Sequence, residues 1–237
     1  MAGEIPSDEA EEIYVTREFL NSPHAAGCEC LLKARGFTVV TDTEMKQMSD
    51  TVTPQGILAV VRQRRIHGLK ALLEYPGPPL LMILETIQDP GNLGTILRAS
   101  EAAGVTGVIM DRESVDVYSP KVVRSTMGAV LRVPFLCVDD LLPAVTALRE
   151  GGMTGGIPLR IYAAHLDGAC DYAKVSYRGP CAVMIGNESR GLTDSLTDLA
   201  DEKILIPMCG QTESLNAAMA AAIIAFEAAR QRRENDF

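Results

Sequence analysis

The 237-residue chain is predicted to be an α/β protein with a mainly parallel sheet flanked by helices. Two observations predict this fold class. Short apolar runs alternate with helical patterns along most of the chain, as in the βα units that build parallel sheets. The runs at 80–84 and 181–185 are apolar at every position, which is typical of parallel strands that helices cover on both faces. A chain of this length accommodates one large domain, or one domain with a smaller companion.

Composition narrows the class of protein. The chain is 47% hydrophobic and carries a formal net charge of −9, which argues against coating nucleic acid by bulk electrostatics but leaves room for local basic patches. No apolar run approaches the roughly 18–20 residues of a membrane span, and the acidic first dozen residues differ from a signal peptide. We therefore expect a cytoplasmic protein without a membrane partner. The six cysteines show no CxxC spacing, so no metal is expected.

The front of the chain has the pattern of a small α/β block. Residues 1–10 are interpreted as a disordered acidic lead. Within 11–62 we expect strands at 12–15, 37–40 and 56–61 and a helix at 25–34. Residues 63–79 are first basic and then rich in Pro and Gly, as expected of a linker. Four basic residues at the start of this region and just before it form either a nucleic-acid contact or a solvated linker: Arg62, Arg64, Arg65 and Lys70.

The larger block, 80–237, begins with the strand at 80–84. Asp89-Pro90-Gly91-Asn92 then has Pro and Gly where a type II turn favours them, and Asn92 is expected to cap the following helix. Gly104 is expected to end that helix. Arg98 points away from the helix face that carries Leu93, Ile96, Ser100 and Ala103.

The same alternation continues to the end of the chain. Strands are predicted at 107–110, 134–138, 159–164 and 181–185, with another ending at Pro207-Met208. Helices are predicted at 121–126, after the cap pair Ser119-Pro120, and at 141–149. A last helix is expected from about 214 to 233. One face of it carries Leu215, Ala218, Met219, Ala222 and Phe226.

Polar residues cluster at strand ends, where α/β proteins form ligand crevices. Each of them alone also has an ordinary structural explanation. Gly186-Asn187-Glu188 after a strand could be a simple turn, and Arg98 could be a solvated helix residue. Ser214 is a candidate N-cap and Asn216 a candidate first-turn residue of the last helix.

The order and spacing of four motifs carry more information than each motif alone. They are Asp89-Pro-Gly-Asn-x-Gly-x-x-x-Arg98, Ser125-x-Met-Gly-Ala129, Ile185-Gly-Asn-Glu-Ser-Arg-Gly-Leu192 and Ile206-Pro-Met-x-Gly-Gln-x-Glu-Ser-Leu-Asn216. In this order, over 80–233, they resemble the SpoU family of RNA ribose 2′-O-methyltransferases within the SPOUT superfamily. The string Ser49-Asp-Thr-Val-Thr-Pro-Gln-Gly56 is similar to part of the RNA-recognition domain that precedes many such enzymes, and 11–62 resembles a truncated version of it.

The resemblance implies a cofactor, a knot and a dimer. S-adenosylmethionine (AdoMet) would lie among three C-terminal loops folded into a trefoil knot, with the loop after Ala163-Ala164 as one wall. Small and apolar residues suit a nucleoside held by backbone groups, and those at the matching positions are Gly186, Ile206, Met208 and Leu215. Gly210 would allow close approach of its loop. A homodimer would form across the C-terminal helices.

The resemblance also implies the catalytic set: Asn92, Arg98, Glu188, Ser214 and Asn216. Arg98 matches the family's catalytic arginine. A guanidinium stays protonated in proteins, so Arg98 is expected to hold the ribose or its phosphate and lower the hydroxyl's pKa. Glu188 would fix Arg98 or another polar group nearby. Ribosomal RNA is favoured as substrate because of the front block; a tRNA substrate, or a module without catalysis, are the alternatives.

Overall fold

The computed structural model describes residues 9–64, 66, 68–74, 76–151, 153–154 and 157–234. The chain divides into two units, one up to Arg64 and one from residue 65 onward. Most of the predicted acidic lead (residues 1–8) and the basic residue Arg65 lie outside the described residues.

The smaller unit is built on a three-stranded sheet in the order β2-β1-β3. The central strand β1 pairs parallel with β2 and antiparallel with β3. Ile13 and Val15 on β1 pack with Leu31 and Leu32 of a covering helix. The elements are β1 Ala10–Thr16, α1 Arg17–Leu20, α2 Glu29–Arg35, β2 Thr38–Val40, α3 Asp42–Met48 and β3 Ile57–Val61.

All three predicted strands of this unit are confirmed, whereas the helices differ from the prediction. The predicted helix at 25–34 starts as a 3₁₀ turn, Pro23–Cys28, and becomes α-helical only at Glu29. Helix α3 was not predicted, although a capping box marks its start. The Thr41 hydroxyl accepts from the Glu44 N–H at 3.2 Å, and the Glu44 carboxylate accepts from the Thr41 N–H at 2.8 Å.

The predicted linker at 63–79 contains an ordered helix, α4 Leu69–Leu73. Leu72 of this helix is 2% exposed and packs in the core of the larger unit. The expectation of a plain linker is therefore wrong over 69–73, because three leucines in five residues supply an apolar face that the larger unit buries. Two of the basic residues before this helix form ion pairs: Arg62 with Glu11 at 3.2 Å and Arg64 with Glu9 at 2.6 Å.

A seven-stranded sheet in the order β10-β12-β9-β11-β4-β5-β6 forms the centre of the larger unit. Every pair of neighbouring strands in this sheet is parallel, as predicted. The elements after α4 are β4 Leu80–Leu84, α5 Pro90–Ala103, β5 Gly107–Asp111, α6 Pro120–Ser125, β6 Phe135–Val138, α7 Leu141–Gly151, β7 Met153–Thr154, β8 Ile157–Pro158, β9 Arg160–Ala164, β10 Cys170–Asp171, β11 Cys181–Ile185, α8 Asp194–Thr197, β12 Glu202–Leu205 and α9 Ala217–Arg233.

Two apolar cores, one on each face of the sheet, explain the continuous apolar runs. Side chains alternate along β4, so that Leu80, Met82 and Leu84 enter one core and Leu81 and Ile83 the other. Helices α5 and α9 cover the first face, and α7 covers the second. A strand buried on both faces has no position at which a polar side chain reaches water.

Helix α9 packs on α5 through a row of small buried residues, including Ala218, Ala221 and Ala225. The residues predicted to share one apolar face of α9 lie in different environments: Ala218 is buried, whereas Met219 and Phe226 are 53% and 48% exposed. Successive helical residues lie about 100° apart, so neighbours fall on different faces. Among the helices of the described ranges, none combines the length and apolarity needed to cross a bilayer.

Candidate active site

The candidate site lies where the strand order changes direction. From β4 the chain proceeds outward through β5 and β6 and then returns to β9 and β11, so β4 and β11 are neighbours that belong to opposite halves of the sheet. Open parallel sheets bind ligands at the carboxyl ends of strands at such a point. Asn92 lies shortly after β4 and Glu188 shortly after β11, and the sheet therefore brings both to one crevice.

The loop after β11 is closed tightly by backbone contacts. Asn187 and Gly191 exchange two backbone hydrogen bonds, of 3.1 and 2.9 Å. A Cβ atom on Gly186 would lie 2.1 Å from the carbonyl carbon of Gly191 and 2.2 Å from the nitrogen of Leu192. No side chain fits in that space, so Gly186 is required by the close approach of two backbone segments.

Asn187, which was not among the predicted site residues, holds the same loop in place. Its amide Nδ2 donates to the carbonyl of Thr86 at 2.8 Å, and its Oδ1 accepts from the Ser189 and Arg190 N–H groups at 2.9 and 3.1 Å. Thr86 itself has φ 54, an uncommon conformation for a β-branched residue. The Asn in Gly-Asn-Glu was the available sequence signal, but its partner at Thr86 is 101 residues away.

Three of the five predicted catalytic residues form one hydrogen-bonded chain. The Asn92 amide Nδ2 donates to Glu188 Oε1 at 2.8 Å, and the Asn216 amide Nδ2 donates to Asn92 Oδ1 at 2.9 Å. This chain connects the loop after β11, the start of α5 and the start of α9. Because each amide donates with its nitrogen, the orientation of both amides is set by the carboxylate of Glu188.

The predicted helix caps need correction at both helices. Helix α5 is capped by Asp89, whose carboxylate accepts from the Asn92 N–H at 2.8 Å, and not by Asn92. Helix α9 is capped by Asn216, whose Oδ1 accepts from the Ala218 and Met219 N–H groups, and not by Ser214. Since Asp89 takes the capping position, the Asn92 side chain is available for Glu188.

Glu188 is held as a carboxylate. Partial burial by itself raises the pKa of this carboxyl group, but hydrogen bonds from Asn92 and from the N–H groups of Glu188, Asp89 and Gln88 outweigh that effect and leave the pKa below its ordinary value. The stabilisation from these bonds is therefore present above the ordinary carboxyl pKa and is lost as the pH falls through the lowered value.

Arg98 and Ser214, the other two predicted catalytic residues, do not join this chain. Arg98 is exposed on α5, six residues beyond Asn92 and so about 9 Å further along the helix axis. Within the part of the chain that the structure describes, it has no hydrogen-bond or ion-pair partner. Glu188 therefore fixes Asn92 rather than Arg98. Ser214 lies in the wall of a neighbouring pocket.

This pocket, of about 560 Å³, lies at the carboxyl ends of β9, β11 and β12. Its volume is within the range of roughly 300–1,000 Å³ for small-molecule sites. All four predicted cofactor residues line it, together with the predicted wall after Ala164: Gly186, Ile206, Met208, Leu215, His165, Leu166 and Asp167. A Cβ on Gly210 would meet no protein atom within 4 Å, so the expected close approach of this loop to the cofactor stays a prediction.

Changing Asn216 to aspartate separates its two roles. Aspartate keeps the cap of α9 but loses the donor to Asn92 and brings a second carboxylate toward Glu188. We expect the protein's catalytic rate to fall about tenfold or more, the scale of one lost hydrogen bond with added repulsion. Asn216→Ala should lose the same rate and also about 1 kcal/mol of unfolding free energy, since the cap is gone. Thermal unfolding measures the stability that the cap contributes. A wild-type catalytic rate in Asn216→Asp would show that Asn216 serves only as the cap of α9.

Solved structures share this arrangement of elements. An AdoMet-bound rRNA methyltransferase from Sinorhizobium meliloti is 28% identical, with a TM-score of 0.78 over 94% of this chain and 80% of that chain. A TrmH/SpoU tRNA modifying enzyme from A. aeolicus is 28% identical, with a TM-score of 0.60 over 70% of this chain and 81% of that chain.

Sequence comparison gives the same relationship. A 23S rRNA (guanosine-2′-O-)-methyltransferase from Shewanella oneidensis is 33% identical over 192 residues, which are 80% of this chain and 76% of that protein. The profile of the SpoU rRNA Methylase family matches residues 79–226, more than half of the chain. That region contains the hydrogen-bonded chain of Asn92, Glu188 and Asn216 and the whole pocket. The chain therefore belongs to the SpoU rRNA Methylase family.

Proposed function

We propose that this protein transfers a methyl group from AdoMet to a ribose 2′-hydroxyl of ribosomal RNA. As a SpoU-family member it is an RNA methyltransferase that uses AdoMet. The observation that carries the proposal is the chain Glu188–Asn92–Asn216, which joins the ends of two central strands to the helix beside the pocket. Three polar side chains held in this order beside the pocket argue against a module that has lost catalysis.

The pocket suits the cofactor by size and by lining. Gly186 allows the two backbone segments of the loop after β11 to pack against each other. Ile206, Met208 and Leu215 provide apolar walls. AdoMet supplies an activated methyl group when bound. The protein is left to orient the ribose hydroxyl and to favour the loss of its proton.

We assign these tasks to the predicted catalytic residues. Arg98, exposed and permanently charged, holds the ribose or its phosphate and stabilises the developing alkoxide. The charged Glu188 fixes Asn92, and Asn216 fixes it from the other side, so that the amides are preorganised for polar contacts with the ribose. Ser214 offers a hydroxyl at the pocket wall.

Ribosomal RNA is preferred over tRNA because of the smaller unit. The rRNA methyltransferase from Sinorhizobium meliloti aligns with 94% of this chain, whereas the tRNA modifying enzyme from A. aeolicus aligns with 70%. An alignment over 94% of this chain leaves out too few residues to exclude the smaller unit, so it includes much of 9–64. That unit precedes the family region at 79–226. We propose that this unit recognises RNA, and the site of action is then the cytoplasm, where ribosomes are.

The test of the function is methyl transfer from tritiated AdoMet to total rRNA and total tRNA, supplied separately. We expect label in rRNA, and in alkali-resistant dinucleotides after hydrolysis, because a methylated 2′-hydroxyl cannot attack the adjacent phosphate. Label in tRNA alone would show that the substrate is tRNA and not rRNA. No label in either RNA, with AdoMet binding intact, would favour the module without catalysis.

RNA recognition by the smaller unit gives a test at Arg64. Changing Arg64 to glutamine should weaken RNA binding and lower the slope of log affinity against log salt by about one, if Arg64 contacts one phosphate. Lys33→Gln is the matched control, because Lys33 also forms an exposed ion pair in this unit, at 2.6 Å with Glu29. Equal effects of the two variants in filter binding would show that only general charge matters.

We further propose the trefoil knot and the homodimer. The loops after β9, β11 and β12 meet around one pocket, as three knotted loops would. The exposed apolar residues Met219 and Phe226 lie seven residues apart on α9, which places them on one face and offers a surface to a second copy.

The dimer is tested by changing Met219 to glutamate. A charge placed in an apolar interface is costly to desolvate, so light scattering at micromolar concentration should show monomers. Unfolding free energy of the monomer should change by no more than about 0.5 kcal/mol, as at a surface position. Leu142→Glu is the control, since Leu142 is an exposed apolar residue (38%) on α7. A dimeric Met219→Glu variant would exclude this face as the interface.

A further inference from the structure

The carboxylate of Asp111, at the end of β5, makes a set of polar contacts that the proposed chemistry does not use. Asp111 is 8% exposed. Its Oδ2 accepts from the N–H and the hydroxyl of Thr86, both at 2.8 Å. Its Oδ1 accepts from the N–H and the hydroxyl of Ser114, at 2.8 and 2.7 Å. Asp111 therefore ties the loop after β4 to the loop after its own strand.

The contact with Thr86 sets the direction of a backbone carbonyl. Thr86 has φ 54, in the left-handed region that β-branched residues avoid. Two hydrogen bonds to one carboxylate hold it in this conformation. The Thr86 carbonyl in turn accepts from the Asn187 amide Nδ2 at 2.8 Å. The residue that Asp111 holds is thus the one that connects the loop after β4 to the loop after β11.

A second connection runs through the hydroxyl of Ser114, which accepts from the Ile87 N–H at 2.9 Å. Ile87 directly precedes Gln88 and Asp89, whose N–H groups donate to the Glu188 carboxylate. Asp111 therefore reaches Glu188 by two routes. One places the loop that carries Glu188, and the other places backbone donors that Glu188 accepts from.

We propose that Asp111 is a positioning residue for methyl transfer, which acts by fixing the carboxylate of Glu188. It does not line the 560 Å³ pocket taken as the AdoMet site, and no contact with substrate is assigned to it. The inference rests on the proposed function, in which Glu188 orients Asn92 toward the ribose. Without the Asp111 carboxylate, Thr86 is free to leave the left-handed conformation, and Glu188 then shifts with its loop.

The cofactor pocket has contacts that hold it together without Asp111. Asn187 and Gly191 close the loop after β11 by two backbone hydrogen bonds, and Gly186 lies against the same backbone. The loops after β9 and β12 lie on the other side of β11 from β5. A positioning role therefore predicts a loss of catalytic rate that exceeds any loss of AdoMet affinity.

Changing Asp111 to asparagine tests this prediction, because one acceptor oxygen becomes an amide NH₂ that faces hydrogen-bond donors. The measurement is single-turnover transfer from saturating tritiated AdoMet to saturating total rRNA, or to total tRNA if the wild type labels only that pool. We expect the rate to fall by roughly tenfold or more, as for a displaced catalytic group. AdoMet affinity, measured by calorimetry on the full chain, should stay within a few-fold of wild type.

Asp201→Asn is the matched control. Asp201 also accepts from a backbone N–H, that of Ile161 at 2.8 Å, but this contact lies near the amino end of β9, away from the strand ends that carry the site. The same change of carboxylate to amide there should leave the rate of methyl transfer close to that of the wild type.

Two double-mutant cycles test the route of the effect. In the Glu188→Gln background, Asp111→Asn should lower the rate by no more than about twofold, because residues that act as one unit have non-additive effects. In the Thr86→Gly background the loss should also be smaller than in the wild type, since glycine adopts a positive φ without strain and does not need a carboxylate to hold it. A purely structural contribution of Asp111 would give the same loss in all three backgrounds.

Ser114→Ala extends the test if Asp111→Asn does not fold. It removes the hydroxyl that joins Asp111 to Ile87, and should lower the rate in the wild-type background but not in the Glu188→Gln background.

The remaining outcomes separate this inference from the proposed function. A wild-type rate in both Asp111→Asn and Ser114→Ala would overturn the positioning role, as would a loss of AdoMet affinity as large as the loss of rate. A wild-type protein that binds AdoMet but labels neither RNA would overturn the proposed function, and this inference with it.

Discussion

Replacing Arg98 with alanine is expected to lower the rate of methyl transfer by roughly 10²–10³-fold, the scale of losing one preorganised electrostatic group. The guanidinium is exposed on α5, and no partner among the described residues restrains it. It can therefore reach an RNA ribose or phosphate without first breaking an internal bond. Single-turnover transfer at saturating RNA and cofactor isolates this step from binding.

Arg98→Ala should leave both the stability of the protein and its binding of AdoMet intact. Unfolding free energy should change by no more than about 0.5 kcal/mol, and AdoMet should still bind, because Arg98 does not line the pocket. Arg98→Lys should restore the rate only in part, since an ammonium keeps the charge but loses the planar fork. Arg149→Ala on α7 is the matched control, as another exposed helical arginine. A rate within a few-fold of wild type in Arg98→Ala would make Arg98 an ordinary solvated residue.

Much of the larger unit could be predicted because burial on both faces leaves a plain signal. The strands β4 and β11 were predicted to the residue, since every one of their side chains faces an apolar core. Gly104 ends α5 with φ 75 as expected, because few other residues tolerate the left-handed conformation. In such cases local chemistry alone decides the structure.

The caps could not be assigned from local chemistry. Asp89 and Asn92 are both good capping residues, as are Ser214 and Asn216. What decides between them is the contact between Asn92 and Asn216, 124 residues apart in the sequence. Likewise, α4 was predicted as linker because its burial depends on a core built by residues far along the chain. Long-range partners of this kind leave no periodic pattern in the sequence.

The same distinction applies to the candidate site. The resemblance to the SpoU family implied four members of the pocket wall, Gly186, Ile206, Met208 and Leu215, and their small or apolar side chains suit a nucleoside. The partner of Glu188 was left open between Arg98 and another polar group. Both residues lie on α5, and only the structure places Asn92 within 2.8 Å of the carboxylate.

The second large effect is expected at Gly186. Changing Gly186 to valine should reduce the affinity for AdoMet and for its product S-adenosylhomocysteine (AdoHcy) roughly 100-fold, or about 2.7 kcal/mol. The new Cβ would lie 2.1 Å from the backbone of Gly191, and two backbone segments cannot move apart without breaking the hydrogen bonds between Asn187 and Gly191. Gly186→Ala should show the same direction, because the clash is already present at Cβ. Calorimetry with both ligands measures the loss.

Gly210→Ala provides the matched control for this prediction. Gly210 also follows a strand of the pocket, but it does not line the pocket, and a Cβ there would meet no protein atom within 4 Å, so affinity should stay within a few-fold of wild type. Unfolding free energy should fall by about 1–3 kcal/mol in Gly186→Val, as in overpacked cores, and the protein should remain folded. If Gly186→Val bound AdoHcy as wild type does, the loop after β11 would not form the wall of the cofactor site. If both glycine variants lost affinity equally, the cause would be general sensitivity of the loops rather than the close approach at Gly186.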